Sequence, residues 1–172
     1  VNGVAPGVTD TRMLGPAPRD RGWLPSVAGR TALGRLGTPD DVAEHLTDLG
    51  VPADGGDVIT SSQAAATVVA GQFEPGARVL PVGGPGVAAA LVAAGLVVVD
   101  RAEDEPVAVV QGYGREVGWA QLAEAVVAVR NGARHVATNL DATIPSPRGP
   151  LPGNGAMVGI VSSITGKPPL AG

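Results

Sequence analysis

An α/β fold, with a mostly parallel sheet and flanking helices, is what this 172-residue sequence predicts, and three observations carry it. From Thr38 onward, strand-like and helix-like segments alternate at steps of roughly ten to fifteen residues, the rhythm of βα units rather than of hairpins. The uncharged stretch from Val79 to Val99 is long enough for a membrane span. Pro81, Gly83, Gly84, Pro85, Gly86 and Gly95 nevertheless cut it into strand, turn, helix, turn and strand. Hydrophobic residues make up 44% of the chain, yet only Trp23, Phe73, Tyr113 and Trp119 carry aromatic rings, so the core is expected to be aliphatic.

Residues 1–37 stand apart as an irregular N-terminal appendage. Pro6, Pro16, Pro18 and Pro25, with seven glycines, leave no run long enough for a helix, and only Val1 to Val8 reads as a short strand entering a loop. This appendage is expected to be less ordered than residues 38–166, with Arg12, Arg19, Arg21 and Arg30 as the first sites of proteolysis. Thr38-Pro39-Asp40-Asp41 then announces a helix. The Thr and the Asp three residues on form a capping box, and Pro suits the first helical position. Val42, Leu46 and Leu49 follow at helical spacing until Gly50 stops the run. Ser61 or Ser62 is expected to cap a second helix that reaches Ala70 and ends at Gly71. Arg78 to Val82 reads as a buried strand, Gly86 to Ala94 as a helix, Leu96 to Val99 and Val107 to Gln111 as strands. Trp119 to Arg130 is strongly helical, with Leu122, Val126 and Val129 on one face; Val136 to Thr138 reads as a short strand and Ala156 to Ile164 as the last helix.

Composition narrows the function. Sixteen acidic against twelve basic residues, a net charge of −4, argue against a nucleic-acid partner, which needs a basic face. The absence of cysteine excludes disulfides, thiolate chemistry and Cys-based zinc sites. Glycine (26) and proline (16) together approach the level of low-complexity chains, but the periodic apolar runs argue for a folded body. The opening Val-Asn-Gly has neither the basic start nor the apolar run of a signal peptide. The expectation is a soluble cytoplasmic protein with no membrane partner; a homodimer is compatible with it. The lack of an initiator Met fits a fragment or a non-standard start codon.

Candidate chemistry is sparse. Gly84-Pro85-Gly86-Val87-Ala88-Ala89 has the G-x-G-x-x-A form of a dinucleotide-binding turn, follows a strand and opens a helix, with Asp100 closing the next strand. Against this, Pro85 removes an amide that could face a pyrophosphate, Asp100 comes too early, and tight βα turns need glycine anyway. His45 reads as a boundary residue of its helix. His135, placed just before a strand, has no partner for a metal site. Ser61 and Ser62 fit helix caps better than nucleophiles. No two of the ten aspartates form Asp-x-Asp, and Asp100, Glu103, Asp104 and Glu105 read as a solvated loop, so no metal ligand and no catalytic residue is assigned. More informative is Thr138-Asn139-Leu140-Asp141-Ala142-Thr143-Ile144-Pro145, where a strand ends in polar residues that enter a Pro-rich loop. In α/β sheets ligands gather at the carboxyl ends of strands, although Asn139 and Asp141 suit a plain Asx turn equally well. Gly112-Tyr113-Gly114 ends the preceding strand near the same edge, where the lone tyrosine could orient a substrate or cover the core.

From about Thr38 to the end the chain resembles the NagD-like phosphatases of the haloacid dehalogenase superfamily. The likeness is carried by Asp40-Asp41-Val42-Ala43-Glu44-His45-Leu46, Leu49-Gly50-Val51-Pro52-Ala53, Val58 to Ala66 and Pro75-Gly76-Ala77-Arg78-Val79-Leu80. It continues through Val109 to Tyr113, Ala137 to Asp141, Pro152 to Met157 and Thr165-Gly166-Lys167-Pro168. Their order and spacing follow the large α/β cap domain of that subfamily. The resemblance implies hydrolysis of a small phosphate monoester such as glycerol phosphate, with Mg2+ in the parent family and none bound by this chain alone. It puts Tyr113, Asn139, Asp141, Thr143 and Ile144 on the substrate side of the cap. The family's Asp-x-Asp nucleophile motif and downstream magnesium aspartates are missing, and its catalytic Lys falls where this chain stops. Lys167 sits in an earlier Gly-Lys-Pro and is not given that role. Residues 38–172 are therefore expected to be a cap region truncated before the catalytic core.

Residues 1–44 resemble another family, the C-terminal part of short-chain dehydrogenase/reductases. Val1-Asn2-Gly3-Val4-Ala5-Pro6-Gly7, Thr9-Asp10-Thr11-Arg12-Met13 and Leu33 to Ala43 carry the likeness, without any Tyr-x-x-x-Lys. The alternative to a phosphatase cap is thus an NAD(P)-dependent oxidoreductase remnant or a nucleotide-binding module. A fluorescence response to NADH separates the two.

Overall fold

A computed structural model describes residues 38–146 and 148–171. The expectations for residues 1–37, including the Val1–Val8 strand, the lower order and the exposed arginines, lie outside the described residues. The chain divides into two units, Val1–Ile59 and Thr60–Gly172.

In the first unit, helix α1 (Pro39–Asp48) begins as its sequence dictates. Asp41 N donates to Thr38 Oγ1 at 3.2 Å, Thr38 N donates back to Asp41 Oδ2 at 2.6 Å, and Pro39 occupies the first turn, where its missing N–H costs nothing. Ala43 is buried, Val42 and Leu46 half-buried, and Leu49 falls just past the helix and is exposed. His45 is exposed rather than at a boundary. A 3₁₀ turn (Gly55–Asp57) follows, closed by a second reciprocal box between Asp54 and Asp57.

The second unit runs α2 (Ser61–Ala70), β1 (Arg78–Val82), α3 (Pro85–Ala93), β2 (Val97–Val98), β3 (Ala108–Gln111), α4 (Trp119–Arg130), β4 (Arg134–Ala137), β5 (Thr143–Ile144), β6 (Leu151–Pro152), α5 (Asn154–Thr165) and β7 (Leu170–Ala171). Five strands form one sheet in the order β2-β1-β3-β4-β7, parallel throughout, while β5 and β6 pair antiparallel on their own. Strand side chains alternate between two aliphatic cores. Val79, Val110 and Val136 meet α2 and α3 through Ala66, Val69 and Leu91. Leu80, Val82 and Val109 meet α4 and α5 through Ala125, Val129 and Val161. Burial on both faces is why β1 and β3 read as unbroken apolar runs. Each buried Val or Leu contributes about 1.5–3 kcal/mol, and Phe73 is the one ring among the described residues packed against these clusters.

Several expectations shift. Thr60, not Ser61 or Ser62, caps α2, accepting from Gln63 N while Gln63 Oε1 accepts from Thr60 N. The box was missed because the two serines beside it are equally good caps by type. Strand β4 is Arg134–Ala137 rather than Val136–Thr138, so His135 lies inside the strand instead of preceding it. Helix α5 starts at Asn154, two residues before the expected Ala156. The pair β5–β6 and strand β7, each two residues long, had no periodicity to announce them.

Candidate functional site

Strands β1, β3 and β4 end level with one another, with Val82 opposite Gln111 and Gln111 opposite Ala137. The chain leaves β1 through α3 to β2, then returns across β1 to β3. Winding therefore reverses between β1 and β3, the place where open α/β sheets hold ligands. Here that crevice is filled by main chain. Gly84 N donates to Tyr113 O at 3.0 Å and Gly112 N to Val82 O at 2.9 Å. A Cβ on Gly114 would lie 2.6 Å from the Gly83 carbonyl carbon, and one on Gly83 would lie 2.7 Å from Gly112 O. With the Gly84 amide engaged and Pro85 lacking one, the start of α3 has lost two of the donors a pyrophosphate would need. Gly83, Gly112 and Gly114, around the G-x-G-x-x-A turn, serve chain-to-chain packing, and the Gly84 amide of the motif itself is spent on Tyr113 O, which takes away the physical basis of the dinucleotide reading.

One strand along, the edge is polar and open. Past β4, Thr138 N continues the ladder to Gln111 O at 2.9 Å, and the chain turns at Asn139, whose Oδ1 accepts from Asp141 N at 3.2 Å. The Asx turn is therefore formed. The segment beyond it is lashed to the start of α5: Gly153 N donates to Ala142 O and Gly155 N to Asp141 O, both at 2.9 Å, and Thr143–Ile144 pairs with Leu151–Pro152. Added Cβ atoms on Gly153 and Gly155 would collide with the carbonyls of Asp141 and Leu140. Buried between them, Asn154 donates through Nδ2 to Gln111 O at 3.1 Å and to Asn139 O at 2.9 Å, joining the ends of β3 and β4.

All five residues singled out from sequence lie at or beyond the carboxyl ends of β3 and β4. Four of them, Asn139, Asp141, Thr143 and Ile144, share one loop, whereas Tyr113 comes from the loop after β3. Tyr113 is 36% exposed; its carbonyl is bound by Gly84, and its hydroxyl makes no hydrogen bond among the described residues. Asp141 and Thr143 are exposed, and the Asp141 carboxylate likewise has no partner among the described residues. Sequence reasoning missed Asn154 and Gln111. The Gly-Asn-Gly before a helix was the available signal for Asn154, since flanking glycines mark a close backbone approach.

Beneath this edge Gln111 Oε1 faces His135 Nε2 at 3.1 Å, both residues being buried. Burial pushes the His135 imidazole below its usual 6.5, and the adjacent Lys167 backbone pulls weakly the other way. Gln111 Nε2, His135 Nδ1 and Asn154 Oδ1 are buried without a partner among the described residues. Two open clefts, of about 330 and 440 Å3, both involve Gly132 and Ala133 and lie at the amino ends of the strands, away from the polar edge. Among the described residues no helix is long and apolar enough to cross a membrane.

The family model of the haloacid dehalogenase-like hydrolases matches residues 36–97. Over 130 residues the chain is 53% identical to the D-glycerol 3-phosphate phosphatase of Mycobacterium tuberculosis, covering 76% of this chain and 37% of that protein. It is 44% identical over 133 residues to the acid sugar phosphatase of Staphylococcus saprophyticus, covering 77% and 50%. Among solved structures, a magnesium complex of a glycerol phosphate phosphatase from M. tuberculosis aligns with a TM-score of 0.67 at 52% identity, over 77% of this chain and 40% of that one. A thermostable p-nitrophenylphosphatase from Bacillus stearothermophilus aligns at 0.66 with 36% identity, over 78% and 51%. These neighbours share the α/β fold with its parallel sheet and flanking helices. The chain spans between about a third and a half of the length of the curated relatives it matches. The reductase resemblance gains no support from these matches, and its residues lie mostly outside the described ones. No group of three or more His, Cys, Asp or Glu side chains able to hold a metal ion occurs among the described residues, so this donor set does not fit the magnesium of the relative.

Proposed function

We propose, from the similarity of this chain to haloacid dehalogenase-like hydrolases, that residues 38–172 are the substrate-selecting cap of a phosphatase. Its substrate is a small phosphate monoester such as glycerol phosphate. The observation that supports this best is the loop Asn139–Ile144, hydrogen-bonded at the carboxyl edge of β3 and β4 with polar groups left unpartnered among the described residues. On this reading the Tyr113 hydroxyl and the Asp141 carboxylate bind substrate hydroxyls, while Thr143 and Ile144 shape the wall beside them. Asn139, whose side-chain oxygen is engaged in the Asx turn, sets the direction of the loop. The cap closes over the reacting phosphate, excludes water and admits one ester rather than another.

The chemical step needs a carboxylate nucleophile in line with phosphorus and cationic neutralisation of the transferring group. The sequence holds no Asp-x-Asp, and Asp141 has no partner acid two residues on. The 172-residue chain is therefore expected not to hydrolyse 4-nitrophenyl phosphate, even with magnesium. Turnover above buffer that vanishes in Asp141→Asn would overturn the cap reading. The positive arm replaces the corresponding segment of the mycobacterial phosphatase with residues 60–171. Glycerol phosphate turnover is expected to survive, and a fall to background would count against the proposal.

A further inference from the structure

The candidate site depends on a residue that touches none of the exposed polar groups. We propose that Asn154 is its positioning residue, holding the loop Asn139–Ile144 in one preformed conformation before any ligand arrives. The part played by that loop in substrate selection rests on the reading above; the preformed geometry stands on its own.

An asparagine amide has two donor hydrogens, and Asn154 uses both across the ends of adjacent strands, on Gln111 O at 3.1 Å and Asn139 O at 2.9 Å. Gln111 O already accepts the last rung from Thr138 N and takes Asn154 as its second donor, whereas Asn139 O lies past the ladder, where leaving a carbonyl unpaired is costly. Tying the two together with one side chain fixes where the loop departs from β4. The side chain is 3% exposed and sits in the first turn of α5, so the twelve-residue helix anchors the clamp. The glycines on either side let the main chain of α5 meet the loop directly, adding the bonds from Gly153 N to Ala142 O and from Gly155 N to Asp141 O. Exposed Asp141 and Thr143 are thereby presented without an ordering step, which lowers the entropic cost of binding.

Amide hydrogen exchange on the full chain tests this. In the wild type, Gly153 and Gly155 are expected to exchange far more slowly than free amides. If they exchange at the free rate, the loop is not preformed and the proposal fails. In Asn154→Ala, protection at Asp141, Gly153 and Gly155 is expected to fall by about tenfold or more, with Val109, Val110 and Val136 unchanged. A uniform loss across β3 and β4 would show that Asn154 only stabilises the fold, and would overturn the proposal. Should Asn154→Ala not fold, Gly155→Ala displaces the loop from α5 and is expected to give the same local pattern; a uniform pattern there also overturns it. None of these readouts involves phosphatase activity. A failed phosphatase transplant leaves the exchange result standing, and a failed exchange result leaves the cap reading standing.

Discussion

Two sets of glycines bring main chain together along the same end of the sheet, and they do opposite things. At the β1–β3 edge, Gly83, Gly84, Gly112 and Gly114 let two turns pack backbone to backbone, and the Gly84 amide is taken up by Tyr113 O. At the β3–β4 edge, Gly153 and Gly155 let a helix start grip a loop, and the groups left over are side chains facing outward. The first edge has the sequence of a ligand site and the geometry of a packing joint. The second lacks any familiar motif, yet it presents unpartnered polar groups on a fixed frame. Glycine in a βα turn signals a close approach; the hydrogen-bond partners of the turn decide whether the approaching group is chain or ligand.

The largest effect should come from breaking the joint. Gly114→Ala places a Cβ against the main chain of Gly83 and Gly84, where neither side can rotate away, and should cost about 3 kcal/mol in urea denaturation. Gly159→Ala, in the exposed middle of α5 with nothing within 4 Å of the added carbon, should instead stabilise the chain by about 0.5–1 kcal/mol. If Gly114→Ala proves neutral, the β1–β3 crevice can open, and it must be reconsidered as a ligand site.

How legible each edge was follows from what carries it. The regular elements were readable because capping residues and aliphatic periodicity act locally: α1 and its Thr38 box, α2 to Ala70, β1, and α4 from Trp119 to Arg130 all fall where spacing puts them. The polar loop Asn139–Ile144 stood out as a strand end rich in side-chain donors and acceptors. What holds it was not readable. Asn154 acts on Gln111 across 43 positions of sequence, and β5, β6 and β7 are two-residue strands whose partners, not any pattern of their own, define them. His135 was misplaced for a related reason. A polar residue in an interior strand contradicts the apolar pattern unless its buried partner, Gln111, is known.

That buried pair gives the next effect in size. Burial lowers the His135 pKa, so as the pH falls below 6.5 the unfolded chain takes up this proton before the folded chain does. Stability should be flat in this respect above 6.5. It should fall as the pH drops below 6.5, by up to about 1.4 kcal/mol per pH unit, and level off below the depressed folded value. Urea midpoints between pH 6.5 and 5 should show this slope in the wild type and a shallower one in His135→Phe, whatever the absolute stability of the variant. Equal slopes would mean that His135 titrates freely and that the floor under the polar edge is wet.

The smallest stability effect is the most diagnostic of the comparison. Asp141 is exposed and its carboxylate is unpartnered among the described residues, so Asp141→Asn should move stability by no more than about 0.5 kcal/mol. Asn139→Ala, by contrast, removes the acceptor of the Asx turn and should cost about 1 kcal/mol. The pair separates frame from contact within three residues of one loop. In the chimeric phosphatase the order should invert: Asp141→Asn should raise KM for glycerol phosphate more than for 4-nitrophenyl phosphate, because only the former offers hydroxyls to the carboxylate. A loss of more than about 1 kcal/mol in Asp141→Asn would place that carboxylate in the frame. The β3–β4 edge would then be a second packing joint, with the selecting groups to be sought elsewhere.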